Sequence, residues 1–336
     1  MNETDGLELP ATQKNLLQMA RQGMLDLRGY ERALKIIGFT PNTQKWNRFL
    51  DVLLLVLGAG LTVCGIYFFF AYNWAEMHRF VKMGIVGVLL LGLVIATSRL
   101  PEEKLPAKIT LTVAGVLIGA LLAVYGQVYQ TGADSYKLFL GWVILMAGWV
   151  FVSKFTPMWF IWILLIDTTL ILYWDQMVSW RSPQYSAIQL WGFAINGLFV
   201  LAWELFSGKT DWLVSRWTPR ILSLINFYIV TAAATIFVSE GLDDDPYTLA
   251  TSVVWLVFLP AMIYVYSQKK LDLFMLTLSA ISLMTVFTTW VANQLDQSNF
   301  NNDFVPLILG LLIVGQTALV VTLLLRVSKS RKEVEQ

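Results

Sequence analysis

The chain has 336 residues, of which 57% are hydrophobic and 14% are charged, and its net charge is +1. Soluble domains carry about 25% charged residues, so this composition excludes an ordinary soluble enzyme and indicates a polytopic membrane protein. The near-neutral charge also excludes a global basic field for nucleic acid. With one cysteine and one histidine, the chain lacks a disulfide framework and paired metal ligands, and we expect no cofactor and no metal site.

Residues 1–48 are polar, and we interpret them as a small cytoplasmic helical segment. Apolar residues around Leu16 predict one short helix, and a turn at Gly23 leads to a second helix that ends at Gly38. Leu27 and the apolar residues after it share one face of that second helix. Two short amphipathic helices are too small for an independent core, so we expect them to pack on each other, the membrane surface or a protein partner.

Residues 49–326 carry ten apolar stretches of roughly the 17–25 residues that cross a bilayer as a helix. The predicted fold is therefore an all-α transmembrane bundle of about ten helices, followed by a basic tail at 327–336. The turn between spans four and five, around Lys154, predicts a tight helical hairpin. The predicted spans are 50–72, 80–97, 107–125, 138–153, 156–174, 187–206, 220–239, 248–267, 271–292 and 304–326.

Lysine and arginine alternate between the two sides of this predicted bundle. If the N-terminus lies inside, 20 of the 24 basic residues fall in inner segments and 3 in outer loops, with Lys82 inside span two. Cytoplasmic loops of membrane proteins carry an excess of Lys and Arg. The pattern therefore predicts an even number of spans with both termini cytoplasmic, in a bacterial inner membrane.

The loop between spans three and four is rich in polar and aromatic residues. It contains Gln127, Tyr129, Gln130, Thr131 and Asp134, spaced by glycines that allow a left-handed backbone. Such a segment can fold back into the mouth of the bundle and satisfy its own backbone there. Two interpretations stay open: these side chains bind a polar ligand, or the loop is a structural plug over the helix ends.

Two motifs around this loop resemble a known family. AYNW (71–74) is followed by FVKMG (80–84), and GQVYQTGAD (126–134) is followed by LFLGW (138–142). Together they resemble an uncharacterised bacterial family of membrane proteins, domain of unknown function 2157, over about residues 46–150. The small helical N-terminal segment also fits that family. The resemblance implies a multi-pass membrane protein and carries no activity, substrate or cofactor.

Asp167 lies well inside span five, where a carboxylate costs roughly 2.5–3.5 kcal/mol on insertion scales. Such residues usually face the bundle interior and have a function. Thr168 and Thr169 stand beside Asp167 as hydrogen-bond donors, and Lys82 of span two is its natural charged partner. The pair is either a structural lock or a proton- or ion-coupling site, and the remaining alternative is an unpaired, protonated Asp167.

Other polar and small residues inside the spans have simpler explanations. Asn196, Asn226 and Gln316 are of the kind that form hydrogen bonds between helices. Gly115 and Gly119 form a GxxxG pattern in span three, which permits close helix packing.

We take transport or permeation of a small polar or lipid-linked substrate as the leading functional hypothesis, with Asp167, Lys82 and the 127–134 loop as the candidate ligand or coupling site. The alternative is a membrane-embedded sensor or scaffold that signals through the N-terminal helices to a protein partner. The chain has no catalytic motif, so we predict no enzyme and name no catalytic residue. The surrounding partner in every case is the lipid bilayer.

Overall fold

The computed structural model describes residues 12–38, 43–73, 76–130, 132, 134–179, 181–241, 245–298 and 304–334. Within these ranges the chain forms twelve α-helices and no strand. Ten of the helices are long and apolar enough to cross a membrane. The predicted all-helical fold with about ten spans is therefore confirmed.

The helices, in chain order, are α1 Gln13–Arg21, α2 Leu27–Ile36, α3 Thr43–Asn73, α4 Arg79–Arg99, α5 Leu105–Val128, α6 Ser135–Ser153, α7 Thr156–Met177, α8 Ala187–Phe206, α9 Trp217–Glu240, α10 Pro246–Tyr264, α11 Leu273–Gln297 and α12 Val305–Val334. Short 3-10 turns at Pro183–Ser186 and Asp211–Leu213 precede α8 and α9, and a π-helical turn at Val265–Lys269 extends α10.

Each predicted span coincides with one helix from α3 to α12. The largest differences are at the two outermost spans, since α3 begins at Thr43 and α12 continues to Val334. Both extensions are polar, so hydropathy alone does not detect them. The fourth span is a complete helix of 19 residues, α6.

The chain divides into two compact units, of which the first comprises Met1–Lys82 and Leu91–Val113. In this unit α1 and α2 pack against each other, one of the three arrangements that their amphipathic pattern left open. Gly23 has φ +76°, a left-handed conformation that glycine adopts without strain, and it lies in the predicted turn between the two helices. The side chain of Asp26 accepts a 2.7 Å hydrogen bond from the Gly29 amide and caps the start of α2.

The second unit comprises Met83–Leu90 and Ala114–Gln336. Its central helix is α9, which packs against α8, α10 and α11. Phe227 and Val230 of α9 form a buried core with Trp255 of α10 and Met275 of α11. Leu222, on another side of α9, packs with the α7 and α8 side chains. The unit therefore has its packed interior around α9, and the candidate site lies on the α7 and α8 side of that helix.

The α6–α7 hairpin of the second unit forms as predicted. Lys154 ends α6 with φ 46° and ψ 40°, a left-handed residue that reverses the chain before α7 starts at Thr156. The Thr156 hydroxyl donates a 2.9 Å hydrogen bond to the Trp212 carbonyl, which joins this hairpin to the loop between α8 and α9.

The second unit has two chemically different ends. At one end lie the turn at Lys154, the loop between α8 and α9 and the loop between α10 and α11; we call this the basic end, because these three segments contain Lys154, Lys209, Arg216, Lys269 and Lys270. At the opposite end, the Ser186 hydroxyl donates a 2.6 Å hydrogen bond to Asp245, which also caps α10. The three basic loops thus meet at one end of this unit, in keeping with the charge alternation in the sequence.

Candidate functional site

The predicted polar loop begins inside a helix. Gln127 belongs to the last turn of α5, which continues to Val128, and its side chain is exposed. Tyr129 and Gln130 follow, both exposed, and Gln130 has a positive φ of 43°. Thr131 lies outside the described residues. The binding role predicted for this loop stays a prediction.

Asp134, the last residue of the predicted loop site, starts α6 and pairs with a residue of the same helix. Its carboxylate lies 2.8 Å from the Lys137 amine. The hydrogen bond from Lys137, and the attraction between the two charges, hold the pKa of Asp134 below its ordinary value. Both side chains are well exposed, so we regard this pair as a surface ion pair of little energetic weight.

Asp167 meets a polar partner inside the second unit. The Nδ2 of Asn196, on α8, donates a 2.9 Å hydrogen bond to the Asp167 Oδ1. The same nitrogen donates a 3.1 Å bond to the Gly192 carbonyl. Two acceptors therefore fix the orientation of the Asn196 amide, and its side chain is only 1% exposed.

Two buried amide oxygens, one on α8 and one on α9, have no hydrogen-bond partner in the described part of the chain. Because the Asn196 nitrogen takes both acceptors, its Oδ1 points away from them and has no partner in the described part of the chain. Asn226 on α9 is also only 1% exposed, and its Oδ1 likewise has no hydrogen-bond partner in the described part of the chain. A buried polar group without a partner costs about 1–3 kcal/mol, so these oxygens are poised to accept a proton donor or a cation. We call Asp167 and Asn196 the interior polar site.

Thr168, Thr169 and Lys82 are the residues that the sequence predicted as partners of Asp167. Thr168 and Thr169 donate their hydroxyl protons to carbonyls one turn back in α7, each at 2.7 Å, so these protons bind the helix backbone and not the carboxylate. Lys82 is buried, at 8% exposure, and belongs to the first unit, while Asp167 belongs to the second. The pairing of Lys82 with Asp167 stays a prediction.

A second polar site, not predicted, lies at the basic end. Arg216, just before α9, binds both Glu204 of α8, at 2.9 Å, and Asp272, at 3.0 Å. Arg220 adds a contact of 3.1 Å to Asp272, and Lys270 one of 2.7 Å to Glu204. We call these five residues the basic-end ion cluster. It joins the ends of α8, α9, α10 and α11.

Asp272 is the most buried member of the ion cluster, with a side chain 2% exposed. Burial by itself would raise the pKa of this carboxyl, but hydrogen bonds from Arg220 and Arg216 outweigh burial and hold the pKa below its ordinary value. Asp272 also accepts a 3.1 Å hydrogen bond from the Phe274 amide and caps α11. One carboxylate thus binds two arginines and a helix start.

The ion cluster was not predicted from the sequence, because its arginines indicated only the orientation of the chain in the membrane. Arg216, Arg220 and Lys270 were counted as inner positive charges, and Glu204 was not connected with them. The sequence did contain a signal for this cluster. Glu204 and Asp272 are acidic residues at the borders of basic loops, and the predicted topology places these loops on the same side of the membrane. Their separation in the sequence concealed the pairing.

The lowered pKa of Asp272 predicts a specific acid lability. A carboxyl whose folded pKa lies below the unfolded value, about 3.9, contributes stability above that pH and loses it as the pH falls through the folded pKa. We expect the melting temperature in detergent to fall below about pH 4 in the wild type and less steeply in Asp272→Asn. Asp296→Asn, an exposed position on α11, should retain the wild-type profile; equal profiles for all three proteins would contradict the prediction.

The ten apolar helices and their buried polar groups define a polytopic helical membrane protein. Residues 18–159 match the family model described as predicted membrane protein (DUF2157), which confirms over that stretch the resemblance indicated by the sequence motifs. That family is uncharacterised. No curated protein and no solved structure matches the chain. The interior polar site and the ion cluster lie beyond residue 159, outside the matched stretch.

Proposed function

We propose that the protein transports a small polar or lipid-linked substrate, and that the interior polar site couples this transport to a cation. The observation that supports the proposal is the Asp167–Asn196 hydrogen bond inside the bundle. A carboxylate held in a membrane helix is expensive and usually functional. Here its neighbour is a neutral amide, which orients the carboxylate without neutralising it.

The chemistry of the site favours a cation as the coupling species. Asp167 supplies a carboxylate, and Asn196 supplies a buried carbonyl oxygen without a hydrogen-bond partner in the described chain. Oxygen atoms of this kind suit a proton or a hard cation such as Na⁺ and repel anions. Loading the site with a proton or Na⁺ would neutralise the Asp167 carboxylate, and release would restore its negative charge. Such a cycle is what a coupling site requires.

The proposal also covers the membrane location of the protein and its lack of enzymatic activity. We place the protein in a bacterial inner membrane with both termini cytoplasmic, supported by the meeting of three basic loops at one end of the second unit. We assign it no enzymatic activity. The support for that is limited to the sequence, which has a single histidine, a single cysteine and no catalytic motif.

Reconstitution into liposomes tests the coupling role directly. We expect the wild-type protein to dissipate an imposed proton or Na⁺ gradient, measured with a fluorescent indicator, and Asp167→Asn to reduce this flux to the level of protein-free liposomes. Asn196→Leu should also reduce it, because the carboxylate loses its orienting partner. The matched control is Asp175→Asn, an exposed carboxylate on the same helix, which should leave flux unchanged. Equal flux in wild type and Asp167→Asn would refute the proposal.

A sensor or scaffold is the second candidate function, and one observation favours it. The helices α1 and α2 expose large apolar side chains, with Leu27 at 77% and Ile36 at 84%. An exposed apolar surface on a small polar segment suits a partner protein or the membrane surface. Deletion of residues 1–38 separates the two functions: it should leave cation flux nearly intact if the protein is a transporter, and abolish the function of a scaffold.

A further inference from the structure

A long groove runs along the second unit beside α11 and α12. Its volume is about 620 Å³, and its walls are almost entirely apolar. Leu276 and Leu283 of α11 form one wall, and Leu323 and Val327 of α12 form the other. Leu283 and Leu323 are about half exposed, so the groove opens at the lipid-facing surface.

The length of the groove corresponds to one leaflet of a bilayer. Its lining on α11 runs from Leu276 to Phe287, and on α12 from Gln316 to Val327. At 1.5 Å per residue, each stretch is about 17 Å long. Half of a hydrocarbon core about 30 Å thick is about 15 Å. An apolar groove of this length matches an acyl chain that starts at the membrane surface and ends near the bilayer midplane.

Polar residues line both ends of the groove: Gln316, which accepts a 3.2 Å hydrogen bond from the Thr288 hydroxyl, lies at one end, and two more lie at the other. Ser267 and Gln268 line the end that faces the basic end of the unit. Lys269 follows them in the chain, and Arg326 precedes the lining residue Val327 on α12; both side chains are exposed. The Lys269 amine lies 5.8 Å from the centre of the Tyr264 ring, which holds this cation near the end of α10.

Two acids at the basic end, Glu204 and Asp272, are already engaged. Glu204 binds Lys270 and Arg216, and Asp272 binds Arg216 and Arg220. Lys269 and Arg326 stand next to the lining residues Gln268 and Val327 in the chain, and they therefore add positive charge near the mouth of an apolar groove. A phosphate group is the ligand that such a mouth favours, since basic pockets between helices bind anionic lipid head groups.

We propose that the groove binds an anionic phospholipid, with one acyl chain along α11 and α12 and the phosphate beside Lys269 and Arg326. The inference is independent of the interior polar site and of the transport proposal. A second copy of the chain is the less favourable occupant. Copies related by a two-fold axis along the membrane normal present the same patch to each other, which would bring the cations of both grooves together.

Lipid titration of the purified protein tests the proposal. Delipidated protein in detergent is titrated with phosphatidylglycerol and, separately, with phosphatidylcholine of the same acyl chains, and bound lipid is counted by native mass spectrometry. Each basic residue near a membrane surface contributes about 1 kcal/mol, about a fivefold change in affinity. We therefore expect the double variant Lys269→Gln, Arg326→Gln to bind phosphatidylglycerol about 25-fold more weakly than wild type.

Two further variants separate the head-group and acyl-chain parts of the site. Lys209→Gln is the matched control, because the Lys209 amine lies 5.7 Å from the Phe206 ring in a loop at the same end but away from the groove, and it should bind phosphatidylglycerol as wild type does. Ala280→Trp fills the groove and should remove binding of both lipids at this site.

Three outcomes would overturn the proposal. The first is equal affinity of the wild type for the two lipids, which removes the role of the phosphate. The second is unchanged phosphatidylglycerol binding in the Lys269→Gln, Arg326→Gln double variant. The third is a dimeric wild type that becomes monomeric in Ala280→Trp, which would show that a second copy fills the groove.

Discussion

Asp272→Ala lowers the free energy of unfolding by about 3 kcal/mol, the largest loss we expect from a change in the ion cluster. The substitution leaves Arg216 and Arg220 without their shared carboxylate and removes the cap of α11. Breaking a buried ion pair costs about 3–5 kcal/mol. We use the lower end because the two arginine side chains are 34% and 41% exposed, so water screens part of their charge.

The measurement is unfolding of the purified protein in detergent, by heat and by denaturing detergent, followed by tryptophan fluorescence. Asp272→Asn keeps an oxygen that can cap α11 but loses the charge, so its loss should be intermediate. Asp296→Ala, on the exposed part of the same helix, is the control and should change stability by less than about 0.5 kcal/mol. Equal stability of Asp272→Ala and Asp296→Ala would show that the ion cluster contributes nothing.

Gly119→Ala destabilises the second unit by about 2 kcal/mol, although it adds a single methyl group. A Cβ at Gly119 would lie 2.4 Å from the ring of Trp142 on α6, far inside van der Waals contact. The ring has little freedom to withdraw, because its Nε1 donates a 2.8 Å hydrogen bond to the Gly115 carbonyl. The clash therefore falls on the packing between α5 and α6, where overpacking costs about 1–3 kcal/mol.

A second glycine provides the matched control for this prediction. Gly148 is exposed on α6, and a Cβ there would meet nothing within 4 Å. Gly148→Ala should therefore be neutral or stabilising by up to about 1 kcal/mol, since alanine is the better helix former. The melting temperatures of the two variants, measured in detergent, test this prediction. If Gly119→Ala melts as Gly148→Ala does, Trp142 does not pack as closely on α5 as the structure indicates.

The GxxxG pattern illustrates how far the sequence argument reached. The pattern permits close packing at Gly115 and Gly119, and the structure shows a close neighbour at Gly119. The partner was not predictable, because a pattern of small residues shows where a neighbour can approach but not which side chain does so. The close partner is the indole of Trp142 on the next helix, α6. Trp142 is the last residue of the LFLGW stretch (138–142).

In the interior polar site, the sequence predicted Asp167 but not its hydrogen-bond partner. Asp167 was identified because a carboxylate is costly anywhere within a span, whichever way the helix is rotated. Its hydrogen-bond partner was not identified: the sequence pointed to Thr168 and Thr169, and the structure instead brings Asn196 of the next helix to the carboxylate. The pairing with Lys82 stays a prediction. Successive residues of an α-helix point about 100° apart, so the side that faces a neighbour depends on how the helix is rotated in the bundle.

The sequence by itself determined the all-helical class, the ten spans, the α6–α7 hairpin and the two short N-terminal helices. These follow from hydropathy, turn residues and local amphipathic pattern, which are properties of neighbouring residues and do not depend on distant ones. The tertiary structure decided the contacts of Asp167, the groove beside α12 and the ion cluster. Glu204 and Lys270 are 66 residues apart and Arg216 and Asp272 are 56 apart. Such pairs meet only through the rotation and packing of whole helices, which a local pattern does not record.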